Sequence, residues 1–171
     1  MDAAQLRARQ DPLKARYRED PATAVITLRA EGAVGGEHVS CSVQTGRALV
    51  EAGLHPASGG DGSLACSGDM LLQALVACAG VTLRSVATNR GIELTGGTVK
   101  AEGDLDFRGT MAVDRGAPVG FSAIRLSFEL ETTARPDELA ALVATTERYC
   151  VVLQTLAHPP ELHVSHAGTP G

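Results

Sequence analysis

The alternation of apolar and polar positions along the chain centres on one long apolar run, Ser67 to Gly91. Between Met70 and Ala87 it has a single charged residue, Arg84, no proline and one glycine, Gly80. Ser67 reads as an N-cap with Asp69 in the first turn, and Arg90 and Gly91 supply the cation and glycine that helix C-termini favour. Apolar positions fall on every side. Leu71, Leu75, Cys78 and Thr82 share one face, and Leu72, Val76, Ala79 and Leu83 another. A helix apolar all round is enclosed by protein or spans a membrane. Gln73, Thr82, Arg84 and Ser85 speak for enclosure, since a span wants about 20 predominantly apolar residues. Ala74, Ala77, Ala79 and Gly80 surround Cys78 with small side chains that would admit a second backbone.

The rest of the chain alternates with the shorter period of strands. Residues 1–12 are expected to be a flexible, at most weakly helical segment ending at Pro12, ahead of a single domain over 13–171. Leu13–Arg18 and Ala24–Arg29 read as strands joined through EDPAT, and His38–Gln44 as a third after the EGAVGGE turn. Val39, Cys41 and Val43 share a face there, which marks Cys41 as core. Residues 45–66 are mixed and close on a Gly/Ser-rich loop, PASGGDGS, that lacks the phosphate-loop signature GxxxxGK[ST]. Ile92–Asp106 reads as a half-solvated strand, 108–118 as a hairpin loop and Phe121–Glu131 as a strong strand. A helix follows from Pro136, with Asp137 and Glu138 at its positive end and a break or continuation near Cys150. Pro159 and Pro160 stop it before a last short strand, Leu162–His166. The order is β-β-β-α-β-β-α-β, an α+β class with mostly antiparallel sheets around the central helix. Six modest strands cannot enclose that helix on all sides, so a second copy of the chain, a homodimer, is expected to complete its cover.

Composition narrows the functions. Aromatic residues are 3% of the 171, tryptophan is absent and the net charge is −5, so the basic stripe and stacking platforms of a nucleic-acid binder are missing. The polar start lacks the apolar stretch of a signal peptide, so a cytoplasmic location without membrane attachment is expected. Cys41, Cys66, Cys78 and Cys150 have no zinc-ligand spacing with each other or with the histidines, and no metal or cofactor site is expected. In a reducing compartment they are not read as structural bridges. Cys150 stands in ERYCVVLQTL, 72 residues after Cys78, with Arg148 two positions before it. Two such cysteines fit a redox dithiol, and they equally fit two core residues.

Taken together, GGDGSLACSGDMLLQALVACAGVTLRSVATNRGIEL, the strand VKAEGDLDF and the late ERYCVVLQTL resemble the OsmC/Ohr family. That family comprises osmotically induced and organic hydroperoxide resistance proteins. The likeness runs from about residue 12 to 166. It implies the OsmC-like fold: antiparallel sheets wrapped around a long buried helix in an intertwined homodimer. It implies a cofactor-free thiol peroxidase for organic hydroperoxides. Cys78 would be the attacking thiolate and Cys150 the thiol that closes a disulfide, reopened by a dithiol such as a lipoyl protein. The alternative is a non-catalytic OsmC-like stress or small-ligand-binding dimer. By the same likeness Arg18, with Arg16 as fallback, would supply the hairpin arginine, and Asp69 the carboxylate that supports it. Apolar walls from Leu71, Leu75 and Val151 suggest a bulky apolar substrate.

Three positions depart from the family pattern. Gly68 stands where a glutamate is usual, so Asp69 falls one place late. Asp69 and Cys78 are nine residues apart, about 180° round a regular helix and roughly 13 Å along it. Val151 replaces a frequent proline. Cys66, at the mouth of the helix, is a further candidate for the resolving thiol.

Overall fold

A computed structural model of the chain describes residues 2–20, 32–34, 40–45 and 48–168. The first element is a helix, α1 (Ala3–Glu19), which runs on past Pro12 where a strand was expected. Its start is a reciprocal cap: the Gln5 N–H donates to Asp2 Oδ1 at 2.8 Å and the Asp2 N–H to Gln5 Oε1 at 3.1 Å. Ala, Gln, Leu, Arg and Lys, all strong helix formers, carry it through Pro12, which costs one backbone hydrogen bond at an exposed turn. The expected strand Leu13–Arg18 is therefore the second half of this helix. The expected strand Ala24–Arg29 lies outside the described residues.

Four short strands follow: β1 (Gly32–Val34), β2 (Ser40–Thr45), β3 (Ala48–Gly53) and β4 (Ala65–Cys66). They form one sheet in the order β1-β2-β3-β4, antiparallel except for the parallel pair β3 and β4. Gly32–Val34 belongs to a strand where the sequence suggested a turn. Cys41 lies in β2 opposite Ala52, and its side chain is outside the described residues.

The central helix is α2 (Ser67–Arg90). Its N-cap is Cys66, one residue before the expected Ser67, and Cys66 makes no side-chain capping bond. Its exit is as expected: Gly91 takes φ 70°, its N–H reaches Thr88 O, and the Ile92 N–H reaches Ala87 O at 2.9 Å. Arg90 ties this end across to Thr145 Oγ1 at 2.7 Å.

Two long strands, β5 (Leu94–Leu105) and β6 (Phe121–Thr132), form a separate antiparallel pair that packs on α2. The loop between them contains one short turn of helix, α3 (Phe107–Thr110). Their inner positions, Val99, Ala101, Ile124, Leu126 and Phe128, meet Leu75 and Ala79 of α2. Their outer positions are charged, with Arg125 gripping both oxygens of Asp104. Gly103 sits under the Phe121 ring, where an added Cβ would come within 2.6 Å of ring carbons.

Helix α4 (Pro136–Tyr149) begins at Arg135, whose N–H is capped by Glu138 Oε2 at 3.0 Å. It ends at Cys150, which takes an extended conformation (φ −73°, ψ 106°) before α5 (Val151–Ala157) starts. The segment 162–166 pairs with no strand among the described residues and stays exposed, so its alternation LHVSH does not make the expected strand.

The core is two clusters along α2. Leu75, Ala79 and Cys150 form one, and Leu83, Ala87 and Leu142 the other. Fully burying a leucine contributes about 1.5–3 kcal/mol, so Leu75 and Leu142 are main anchors. The enclosure expected from sequence is one-sided within a single chain. The i, i+4 series Leu75, Ala79, Leu83 and Ala87 is buried, whereas Leu71 is 38% exposed and Val81 72% exposed. Helix α2 is long and apolar enough to cross a bilayer, but its buried stripe is seated on β5, α4 and α5.

Candidate functional site

Cys78 sits near the middle of α2, on the border between the buried stripe and the open side. Cys150 reaches it from the break between α4 and α5. The break is what brings the second thiol in. The Cys150 N–H closes α4 on Thr146 O and its carbonyl opens α5 by accepting from the Gln154 N–H, each at 2.9 Å. The two thiols lie in one cluster with Leu75, Ala79, Val152 and Leu153, and each acts on the other's acidity. Both cysteines are free thiols, Cys150 fully buried and Cys78 half-buried.

Their acidities are pushed apart. At Cys78, burial pulls the pKa upward. It is outweighed by hydrogen bonds to sulfur from the Val152 N–H, the Cys150 thiol, the Val151 N–H and the Thr82 hydroxyl, so the net shift is downward. At Cys150, burial again raises the pKa. The bond from the Leu153 N–H does not compensate, and the neighbouring Cys78 sulfur adds to the rise. Cys78 is therefore the more acidic thiol of the pair. A half-buried, more acidic thiol beside a buried, less acidic one suits one sulfur to attack an electrophile and the other to condense with the product.

The other residues singled out in the sequence lie elsewhere. Asp69 is exposed in the first turn of α2, about 13 Å along the axis from Cys78. It shares a cavity of about 180 Å³ with His55, Cys66, Leu72, Phe107 and Phe121. There the His55 ring stacks on Phe107 at 5.0 Å, and its Nδ1 accepts from the Ala57 N–H at 3.0 Å. Cys66 is twelve residues, roughly 18 Å, from Cys78 along the same helix, too far to form a disulfide with it within one chain. Arg18 lies near the C-terminal end of α1 rather than on a hairpin strand, and the side chains of Arg16 and Arg18 are outside the described residues. Leu75 is fully buried, so of the three expected wall residues only Leu71 and Val151 reach the surface. Among the described residues no three His, Cys, Asp or Glu side chains converge to hold a metal ion.

Sequence reasoning missed the donors. Thr82 was recognised only as sharing the Cys78 face, and the amides of Val151 and Val152 cannot be anticipated without the break at Cys150. The departure at Val151 was a signal. A non-proline residue there retains the N–H that faces Cys78.

A family model described as OsmC-like protein matches residues 60–165. No curated protein matches the sequence. Among solved structures, an OsmC-like protein from Mycoplasma pneumoniae is similar with a TM-score of 0.67 at 15% identity, over 78% of this chain and 89% of that one. An organic hydroperoxide resistance protein from Legionella pneumophila gives 0.61 at 20% identity, over 78% and 91%. The organic hydroperoxide resistance protein OhrB of Bacillus subtilis gives 0.54 at 17% identity, over 78% and 93%. At these identities the likeness is one of fold.

Proposed function

The chain belongs to the OsmC-like protein family, and on that premise we propose that it is a thiol-dependent peroxidase that reduces organic hydroperoxides in the cytoplasm. The observation that carries this reading is the Cys78–Cys150 contact with acidity lowered at the first thiol and raised at the second. The Cys78 thiolate attacks the terminal oxygen of R–O–OH. The O–O bond breaks, sulfur gains OH as a sulfenic acid, and R–O⁻ leaves to take a proton from solvent as the alcohol. The protonated Cys150 then condenses with the sulfenic acid, forming the disulfide and releasing water. An external dithiol, for which a lipoyl group has the right chemistry, reduces the disulfide and becomes a disulfide itself. No cofactor is required.

Arg18, with Arg16 as the other candidate, is assigned the cation that stabilises the departing alkoxide. Asp69 is assigned as its carboxylate partner. With Asp69 about 13 Å along a regular α2 from the Cys78 of its own chain, this carboxylate would serve the thiol of a second copy. The dimer is supported by the apolar open side of α2 and by the isolated β5–β6 pair, since two-stranded sheets are marginal alone. Exposed Leu71 and Val151 support a bulky apolar R group.

A second reading, a non-catalytic OsmC-like stress or ligand-binding dimer, is favoured by one observation. Among the described residues no cation acts on the Cys78 sulfur. Dithiol-dependent consumption of cumene hydroperoxide separates the two. We expect turnover by the native protein and a loss of at least ~10³-fold in Cys78→Ser. Equal consumption by both proteins would exclude the peroxidase reading.

A further inference from the structure

The bend between α4 and α5 has no covalent cause. The residue after it is Val151, which keeps its N–H and is able to continue a helix. A proline there would push Cys150 out of the helical conformation by itself. No glycine follows α4, and no side chain caps the start of α5. Cys150 nevertheless stands extended between the two helices, fully buried. Val152 and Leu153, on the inner side of α5, pack with it against Leu75, Ala79 and Cys78. The angle of the bend therefore sets where the Cys150 thiol stands relative to Cys78.

Among the described residues one side-chain hydrogen bond joins the two helices. The Gln154 side-chain amide donates from Nε2 to Glu147 O at 2.9 Å. The backbone N–H of the same residue donates to Cys150 O, also at 2.9 Å. Gln154 thus holds the last turn of α4 with its side chain and the break itself with its backbone. In a continuous helix the Glu147 carbonyl would accept from the Val151 N–H four residues on. At the bend the Gln154 amide takes the place of that bond, so a carbonyl at the end of α4 is not left without a partner. The neighbouring polar side chains are engaged elsewhere. The Thr155 hydroxyl turns back to Val151 O at 2.8 Å within α5, and Arg148 lies over the Tyr149 ring at 5.6 Å.

We propose that Gln154 is a positioning residue for Cys150: its side-chain amide latches the bend between α4 and α5 and so holds the Cys150 thiol against Cys78. The proposal rests on the reading of Cys78 and Cys150 as one redox pair. Without the latch, a chain that has no proline at the bend is free to straighten or swing there, and the two thiols spend less time within bonding distance. The stability of a disulfide relative to its two thiols follows the effective concentration at which one thiol meets the other. Loss of the latch therefore weakens the disulfide while leaving both cysteines in place.

The test is the equilibrium of the reduced protein with oxidised dithiothreitol. The two cysteine thiols give up two protons and two electrons to become the Cys78–Cys150 disulfide, and the reagent's disulfide takes them to become its dithiol. Native protein, Gln154→Met and Gln154→Lys are compared after acid quenching by mass spectrometry of the linked peptide pair, with far-UV circular dichroism as the check on folding. Methionine keeps the length of the side chain and loses the donor, while lysine keeps an N–H donor of similar reach. We expect Gln154→Met to lower the equilibrium constant for the disulfide about tenfold, equivalent to about 30 mV, and Gln154→Lys to return within about twofold of native. Gln154→Ala carries the same expectation if the methionine variant does not fold. A folded variant without the donor that keeps or exceeds the native constant, or a lysine variant that does not recover, overturns the proposal. The readout does not involve hydroperoxide. A tenfold drop in a protein without peroxide turnover would sustain this role for Gln154 while removing the peroxidase reading.

Discussion

Two thiols stand along helix α2, Cys66 at its N-cap and Cys78 at its middle, and they live in different chemistry. Cys66 caps its N-terminus without a side-chain capping bond, in a cavity with His55, Asp69 and two phenylalanine rings. Cys78, twelve residues on, is surrounded by two amides, a hydroxyl and a second thiol. Both are half-buried, so exposure does not distinguish them. What does is the number of donors aimed at the sulfur. A thiolate costs free energy to bury, and only hydrogen bonds or positive charge offset that cost. The mid-helix position has donors because another element ends there: α4 stops at Cys150 and α5 begins with N–H groups that have no helical partner of their own. At the mouth of α2 no second thiol among the described residues lies in the cavity that Cys66 lines, and Cys66 makes no side-chain capping bond.

The contrast can be broken most sharply by changing its resolving partner. Cys150→Ser should lower dithiol-dependent hydroperoxide turnover by about 10- to 100-fold and leave the Cys78 sulfenic acid trappable with dimedone, while Cys66→Ser should stay within about twofold of native. Equal losses in the two variants would mean that the mouth of the helix serves the reaction directly. A smaller effect concerns the open side of α2. Val81 is 72% exposed in the single chain and lies one turn from Cys78. Val81→Glu should shift a dimer toward monomer by roughly tenfold in dissociation constant in light scattering, as expected for about 1.4 kcal/mol lost at an interface. Because both thiols and their donors come from one chain, the Cys78–Cys150 disulfide should still form in that variant. A native protein that is monomeric at micromolar concentration would remove the dimer from the account.

Much of the fold was legible in the sequence where local signals agreed. The central helix combined an uninterrupted apolar run with Arg90 and Gly91 at its exit, and strands β5 and β6 combined alternation with a long polar connection. The N-terminus misled because Pro12 reads as a stop, while the Asp2–Gln5 cap and a run of helix formers outweighed it. LHVSH has the alternation of a strand but no neighbour to pair with, and alternation alone cannot supply one. The all-round apolarity of α2 was read correctly as a pattern, yet one chain covers only the Leu75, Ala79, Leu83, Ala87 stripe.

The site was less legible for a physical reason. Cys78 and Cys150 are distant in sequence, and periodicity treats each as a small core residue. Their relation depends on the helix break at Cys150, which the sequence left open between a break and a continuation. Asp69 was chosen by the family resemblance, from its place in the first turn of the helix, and it lines a cavity with Cys66 and His55 at that end of α2.

The central claim is that Cys78 and Cys150 form one redox unit. It is tested most directly by mapping disulfides after adding one equivalent of cumene hydroperoxide to the fully reduced protein. We expect a single Cys78–Cys150 cross-linked peptide pair, with Cys66 still alkylatable. Recovery of Cys78 and Cys150 as free thiols after the peroxide has been consumed, or a disulfide that joins Cys78 to any other cysteine, would contradict the account.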